Sequence, residues 1–438
     1  MSKKSKKGLM QQLFPAEGEA VPELRFPEFR GAWTREPLCK IGEVLPGYGF
    51  PEELQGKAQG EYPFYKVSDI SNAILNGSHF IDKAAHYINE EDLALIKAKT
   101  IPMGTTIFAK IGEAIRLNRR VLTTSECLID NNVAGVKAIP GKANDLYIFY
   151  VLSQVNLIEY SGGVVPSCNK STLENISVFS AELEEQQKIA DCLSSLDNLI
   201  TAQAQKIESL KDHKKGLMQQ LFPAEGEAVP KLRFPEFRGM GGWENKSIGE
   251  VTTVIAGATP STNNPNYWGG DIPWMNSGEL NLKRVYKVSN GITALGLKET
   301  STKLIPLSCI LIGLAGQGKT RGTVAINYIE LCTNQSIATI LPNIYEFVSE
   351  FLFHKLDSMY FYLRSLSKGE GGRGGLNLQI IKSVKISLPR LEEQKKIADC
   401  LSSLDNLITA QAQKIESLKD HKKGLMQQLF PTTDEVEQ

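Results

Sequence analysis

The chain has 438 residues, 42% of them hydrophobic, and a formal net charge of zero at pH 7. That length points to two or three domains, and the charge balance argues against a free-standing polyanion binder, because phosphates call for an excess of Lys and Arg. No apolar run reaches the roughly 18 residues of a membrane span, the basic start "MSKKSKKGLMQQLFP" lacks the apolar core of a signal peptide, and seven cysteines without a C-x-x-C pair fit free thiols in a reducing cytoplasm better than a disulfide frame or a zinc site.

The elements fall into five segments. Residues 1–31 form a leader. Residues 32–181 mix short β-branched runs such as "TTIFAKI" with Gly, Pro and Asn punctuation, and a helix is expected over 88–97. Segment 182–239 opens on "LEEQQKIADCLSSLDNLITAQAQKIESLKDHKKGLMQQLFP" (183–223). Its apolar residues Ile189, Leu193, Leu196, Ile200, Ile207, Leu210, Leu217 and Leu221 step by fours and threes, with Gln203 and Lys214 filling two seam positions. This is a heptad seam. Glu184 and Glu185 in the first turn and Lys214 and Lys215 near the end suit the helix macrodipole, and Pro223 enforces the stop. A helix of roughly 38 residues is about 57 Å long. Residues 240–389 are again strand-rich, with a helix expected over 344–366. Segment 390–438 repeats the long helix at 391–431 with one difference, Lys395 for Gln187, so its seam is Ile397, Leu401, Leu404, Ile408, Ile415, Leu418, Leu425 and Leu429.

The repeat shift is 208 residues, and it also maps 6–31 onto 214–239 with one difference, Glu23 against Lys231. "KKGLMQQLFP" therefore occurs three times, at 6, 214 and 422. The sequence gives no reason for the leader copy; docking where the second helix finishes would close the ring of units. The two strand-rich regions share landmarks rather than identity: "YPFYKVSDI" (62–70) sits opposite "IPWMNSGEL" (272–280), and 105–136 sits opposite 309–340. Each amphipathic stripe needs a partner, and the nearest one is its own copy. Antiparallel pairing gives both globules the same environment. The expected fold is α+β: two β-rich α/β domains separated by an antiparallel pair of long helices, a coiled coil, in a pseudo-two-fold internal repeat.

"GLAGQGKT" (313–320) satisfies the phosphate-loop pattern letter for letter. A phosphate cradle needs a strand before it and a helix after it. Here "RGTVAIN" follows, which alternates like a strand, and no later apolar strand ends in a metal-holding Asp. A Gly-rich hairpin is the better reading; a nucleotide-binding protein using Lys319 and Thr320, and a coiled-coil scaffold without DNA, are the alternatives. The histidines show no metal-ligand spacing, and "NNPNY" (263–267) reads as a turn. What the globules offer is Arg, Lys and Asn beside glycines: Lys66, Lys110, Arg116, Asn118, Arg119 and Arg120 in the first, Asn276, Lys319, Arg321 and Arg373 in the second. Arg reads guanine, Asn reads adenine and Lys binds phosphate, which makes these the candidate DNA-binding residues.

"ELRFPEFRGAW" (23–33), "GATPSTNNPNYWGGDIPW" (257–274) and "ISLPRLEEQKKIA" (386–398), each globule being followed by its long helix, make the chain resemble the specificity subunits of type I restriction–modification enzymes over essentially its whole length. The resemblance implies a non-catalytic DNA reader in the cytoplasm. Its two globules would be target recognition domains, each reading half of a split, asymmetric double-stranded site, with the helices as spacer. It also implies two methyltransferase subunits carrying S-adenosylmethionine, and two restriction subunits carrying ATP, Mg, motor and nuclease, with no cofactor or metal on this chain. "SVFSAELEEQ" (177–186) lacks the Leu-Pro found at 388–389, so a different approach into the first helix is expected.

Overall fold

The computed structural model of the chain describes residues 21–22, 24–316, 318–366 and 375–430. It divides into two compact units, 1–206 with 411–438 and 207–410, so each unit owns part of both long helices.

Among its described residues, unit 1 holds ten strands: β1 (Thr34–Pro37), β2 (Gly42–Leu45), β3 (Tyr62–Tyr65), β4 (Phe80–Ile81), β5 (Tyr87–Ile88), β6 (Thr106–Ala109), β7 (Arg120–Thr123), β8 (Leu128–Ile129), β9 (Val133–Ala138) and β10 (Ser177–Ser180). They form a five-stranded sheet in the order β2-β9-β6-β7-β4, a three-stranded sheet β5-β3-β8, and the pair β1-β10. The central strands are apolar without alternation because both faces are covered. Phe108, Leu122 and Val136 join the core built around the helix Asp145–Gln154, while Ile107, Val121 and Val133 join another with Tyr65 and Ile70. The helix Asp145–Gln154 buries Tyr147 through Leu152 without a break, so it has no polar stripe for a periodicity reading to find. Asn144 caps it, its side-chain oxygen accepting from Leu146 N and Tyr147 N. The helix expected over 88–97 runs from Glu90 to Ile96.

Unit 2 repeats the plan with β11 (Glu244–Ser247), β12 (Val254–Ala256), β13 (Trp268–Met275), β14 (Arg284–Val285), β15 (Asn290–Ile292), β16 (Ile310–Gly313), β17 (Val324–Asn327), β18 (Cys332–Thr333), β19 (Ile337–Ile340) and β20 (Lys385–Leu388). The sheets are β12-β19-β16-β17-β14, β15-β13-β18 and β11-β20, matching unit 1 strand for strand. The landmark pairs from the sequence occupy the same strands: β3 opposite β13, and β6–β9 opposite β16–β19. The helix expected over 344–366 starts later and is broken in two, Ser349–Ser358 and Tyr360–Ser365.

Both long helices have 39 residues, Leu183–Leu221 and Leu391–Leu429. Inside unit 1, Lys422 Nζ lies 2.5 and 2.7 Å from the Asp197 carboxylate, and Ile189 and Leu193 share a core with Leu429 and Phe430. Inside unit 2, Lys214 Nζ lies 2.5 Å from Asp405 Oδ1, and Leu221 and Phe222 share a core with Ile397 and Leu401. In each unit one helix rises in number as its partner falls, which makes the pairing antiparallel. Every predicted seam residue is buried or half-buried, whereas off-seam Leu199 and Leu407 are each 50% exposed. The outer seam residues pack into the globules as well as toward the sister helix. The seam position of Lys214 is filled by a charge answered across the pair.

Each unit locks its globule to the start of its own helix in the same way. Glu185 is not simply a dipole partner: it is buried, and Arg25 brings Nε and Nη2 to 2.8 Å from its two oxygens, with Trp33 Nε1 donating at 3.2 Å. Gln186 accepts from Asn144 N at 3.1 Å and donates to Lys142 O and Ala181 O at 3.1 and 2.8 Å. In unit 2, Arg233 grips Glu393 at 2.8 and 2.7 Å, and Gln394 accepts from Val348 N and donates to Glu346 O and Pro389 O. Ala181 O does the work of Pro389 O, so the missing Leu-Pro does not change the approach into the first helix. Lys188–Glu28 and Lys396–Glu236 complete the match. The repeated "RFPEF" and "LEEQ" blocks are therefore the two sides of one contact.

Candidate nucleic-acid interface

In each unit, the β-hairpin at the middle of the five-stranded sheet carries candidate reading residues on its connecting loop. In unit 1 this loop runs from Lys110 to Arg119 between β6 and β7, which pair antiparallel. It turns at Gly112, whose φ is 81°, passes a short helix Glu113–Leu117, and leaves through Asn118 at φ 49°. A second loop lies against it: Gly112 N donates to Pro166 O at 2.8 Å and Cys168 N to Lys110 O at 2.9 Å. Val164 at the tip of that loop is fully exposed and Val165 is 60% exposed. The backbone bond to Cys168 ties Lys110 to this second loop, and Arg116 and Arg119 follow on the same connection.

Their environments differ. Arg116 is exposed and pairs with Glu113 at 3.0 Å. Such a surface pair is worth no more than about 1 kcal/mol, so a phosphate or base can take the guanidinium over. Lys110 and Arg119 are half-buried, and burial pulls the Lys110 ammonium below the ordinary lysine range. Arg120 corrects the sequence reading. It is 3% exposed, its Nη2 donates to Val155 O at 2.6 Å and its Nη1 to Asn118 O at 2.9 Å, and burial pushes its pKa down to about 9. Its guanidinium satisfies carbonyls inside the unit and cannot reach DNA. Asn118 is likewise engaged, donating to Val155 O at 3.2 Å and accepting from Leu157 N at 3.4 Å.

In unit 2 the equivalent loop is the phosphate-loop lookalike. The segment after Gly313 returns into β17, the antiparallel neighbour of β16, so a strand and not the helix of a phosphate cradle follows. Instead Gly313 N donates to Thr323 O, Gly322 N to Gly313 O, and Thr323 N to Thr320 O. The hairpin is pinned from the side by Tyr360 Oη on Lys319 O at 3.0 Å and Arg364 Nη1 on Gly318 O at 2.7 Å. This overturns the nucleotide-binding alternative and leaves the hairpin reading. Lys319 is exposed, and Arg321 is half-buried and partnered. Leu376 N donates to Leu314 O, so the return segment docks as it does in unit 1. Arg373 lies outside the described residues.

Lys66 and Asn276 are placed elsewhere, at equivalent helix starts. Asn276 is occupied by its own cap, Oδ1 accepting from Gly278 N at 2.8 Å and Nδ2 donating to Glu279 Oε2 at 3.1 Å, so it does not read adenine in this pose. Lys66 Nζ donates to Gln55 Oε1 at 2.8 Å and lies 5.3 Å over the Phe50 ring. The sequence reading missed Tyr360, Arg364 and the Val164–Val165 tip. They sit some 40 residues from the loops they serve, so no local spacing marks them.

Each globule also meets the helix pair through a charged cluster. In unit 1, Asp197 receives Tyr150 Oη at 2.8 Å and Lys422, with His79 Nε2 3.7 Å away; burial lowers the His79 pKa, Asp197 opposing the shift. In unit 2, Asp405 receives Lys214 and Arg284 Nη2, while Arg284 Nη1 reaches Glu350 at 2.7 Å. His354, fully buried, lies 3.2 Å from Ser402 Oγ and 4.0 Å from both Glu350 and Asp405. Burial, with Lys214 beside it, pushes its pKa down to about 3. Burial alone would raise Asp405, but Lys214, with His354 and Arg284 beside it, holds the carboxylate below its usual range. No group of three or more His, Cys, Asp or Glu suited to a metal ion occurs among the described residues, and no helix among them is long and apolar enough to cross a membrane.

The sequence profile of the type I restriction modification DNA specificity domain matches twice, at residues 35–212 and 240–420. The MjaVIII specificity subunit of a type I restriction enzyme from Methanocaldococcus jannaschii is 27% identical over 430 residues, covering 93% of this chain and 95% of that one. The MjaIX specificity subunit from the same organism is 37% identical over 183 residues, 40% of this chain and 41% of that one. The crystal structure of the S subunit of a type I restriction–modification system from M. genitalium superposes with a TM-score of 0.61 at 16% identity, covering 94% of this chain and 100% of that one, which speaks for the fold. The two profile matches each span one globule and most of the helix after it, the same repeat that the strand topology displays, and the chain belongs to the type I restriction–modification DNA specificity family.

Proposed function

We propose that the two units each read one half of a bipartite, asymmetric double-stranded DNA site, and that the paired helices set the separation of the halves. The observation that carries this reading is the contrast inside the repeat. The contacts joining each globule to the start of its own helix are the same in both units, down to Arg25–Glu185 and Arg233–Glu393. The loops that face outward, 110–119 and 314–323, differ in every functional side chain. A fixed mount with a variable tip suits a reader of two unlike sequences. Readout runs through Arg116, Arg119 and Lys110 in unit 1 and through Lys319, Arg321 and Arg373 in unit 2, by phosphate and major-groove contacts.

The chain itself catalyses nothing in this reading. Two methyltransferase subunits dock on the helices and modify adenine with S-adenosylmethionine, and two restriction subunits supply the ATP- and Mg-dependent motor and nuclease, all in the cytoplasm. The chain's zero net charge fits partners that share the grip on phosphates. The relatives' designation as subunits of restriction enzymes supports an assembly of this kind. Methylome sequencing of cells carrying this chain with its modification subunits tests the proposal. One split, asymmetric adenine motif is the expected result, and a continuous motif or none would reject it.

A further inference from the structure

The decapeptide "KKGLMQQLFP" occurs at 6–15, 214–223 and 422–431. Unit 2 uses the middle copy. Lys214 meets Asp405, Leu221 and Phe222 are buried in the core, and the Gln220 carbonyl accepts from Leu232 N at 2.9 Å. Unit 1 has the same seat, filled by the last copy. Lys422 meets Asp197, Leu429 and Phe430 are buried, and the Gln428 carbonyl accepts from Leu24 N at 3.0 Å. The connectivity differs between the two. Leu232 follows its own copy through "AEGEAVPK" (224–231), but Leu24 bonds to the copy at the far end of the chain. The copy that leads into Leu24, through the equally long "AEGEAVPE" (16–23), is the leader.

We propose that the seat in unit 1 has two alternative occupants in one chain: the C-terminal copy 422–431, and the leader copy 6–15, which docks when the C-terminal copy is lost or displaced. Position for position the leader brings Lys6 for Lys422, Gln12 for Gln428, Leu13 for Leu429 and Phe14 for Phe430. Its linker has the length that already joins copy to Leu232 in unit 2, so reach is not limiting. A short tether gives an effective concentration on the order of millimolar. The C-terminal copy holds the seat because it is the end of a 39-residue helix whose earlier turns are also packed. The device keeps unit 1 closed when proteolysis or a partner pulls the last turns of the second helix away. It is independent of what the globules read.

The test compares the full chain with a chain ending at His421, each with and without residues 1–15. In the full chain, removing 1–15 leaves the unfolding temperature unchanged. In the shortened chain, unit 1 stays folded, and trypsin cleavage at Lys6 and Lys7 slows by about tenfold or more, because the docked population is protected. Removing 1–15 from the shortened chain then lowers the midpoint by roughly 4 °C or more. Phe14→Ala acts like that removal in the shortened chain and is silent in the full chain. The proposal is overturned if the shortened chain unfolds despite its leader, if its midpoint ignores the leader, or if protection appears only as a dimer forms with rising concentration.

Discussion

The two charged clusters at the helix pair are built on identical helix residues yet served by different globule residues. Asp197 and Asp405 are the same residue under the 208-residue shift, as are Lys422 and Lys214. Around Asp197 the globule supplies a tyrosine hydroxyl and a partly exposed histidine; around Asp405 it supplies Arg284 and the fully buried His354. The buried Asp–Lys pair is thus a fixed socket into which each globule fits its own plug. The Arg–Glu and Gln contacts at the helix start are fixed on both sides. Variation is tolerated where a globule meets the seam, is largest on the outward loops, and is absent from the Arg–Glu clamp at the helix start.

The largest expected effect breaks the fixed contact. Arg25→Ala leaves Glu185, 1% exposed, without its cation, and Arg233→Ala does the same to Glu393. Each loses about 3–5 kcal/mol, confined to its own unit. Hydrogen exchange read unit by unit measures it, and a cost in one unit only would show that the matched geometry is not matched energetics.

Acid sharpens the contrast between the sockets. His354 is held neutral by burial, with a pKa near 3 against an ordinary value of 6.5. A histidine depressed in this way contributes stability that is full above pH 6.5 and is lost as pH falls, because the unfolded chain takes up the proton first. Lys214, Arg284, Glu350 and Asp405 face it, and Asp405, also depressed, adds loss only below the ordinary carboxylate range. From pH 6.5 to 5 unit 2 loses about 2 kcal/mol. Unit 1, whose His79 side chain is 41% exposed, loses less. His354→Leu flattens the unit 2 slope in urea titrations at several pH values.

The architecture was legible because its signals are periodic. A heptad seam and a 208-residue copy announce two helices and two units. The reading residues were only partly legible. Arg116 and Lys319 lie on the loops the sequence indicated. Arg120, two residues beyond Asn118, belongs to the core, because β7 starts there and all four of its residues are buried. Asn276 looked free and is a cap. Composition marks an Arg or Asn as a candidate; only the strand boundary and the cap decide whether it faces out. The clamp between Arg25 and Glu185 joins residues 160 apart, and repetition of both blocks at one shift is the only trace it leaves in sequence.

The smallest effects come from the outward loops. Arg116→Ala and Lys319→Ala weaken DNA binding by the assembled complex nearly uniformly across sequences and lower the salt slope by about one each. Arg120→Met costs stability instead and leaves the salt slope unchanged.

The most direct measurement replaces residues 240–389 with the corresponding region of another family member, keeping both long helices, and sequences the methylome. The account predicts that one half of the methylated site changes while the other half and the spacer stay as they were. A change in both halves, or in neither, would contradict independent reading by two units on a common mount.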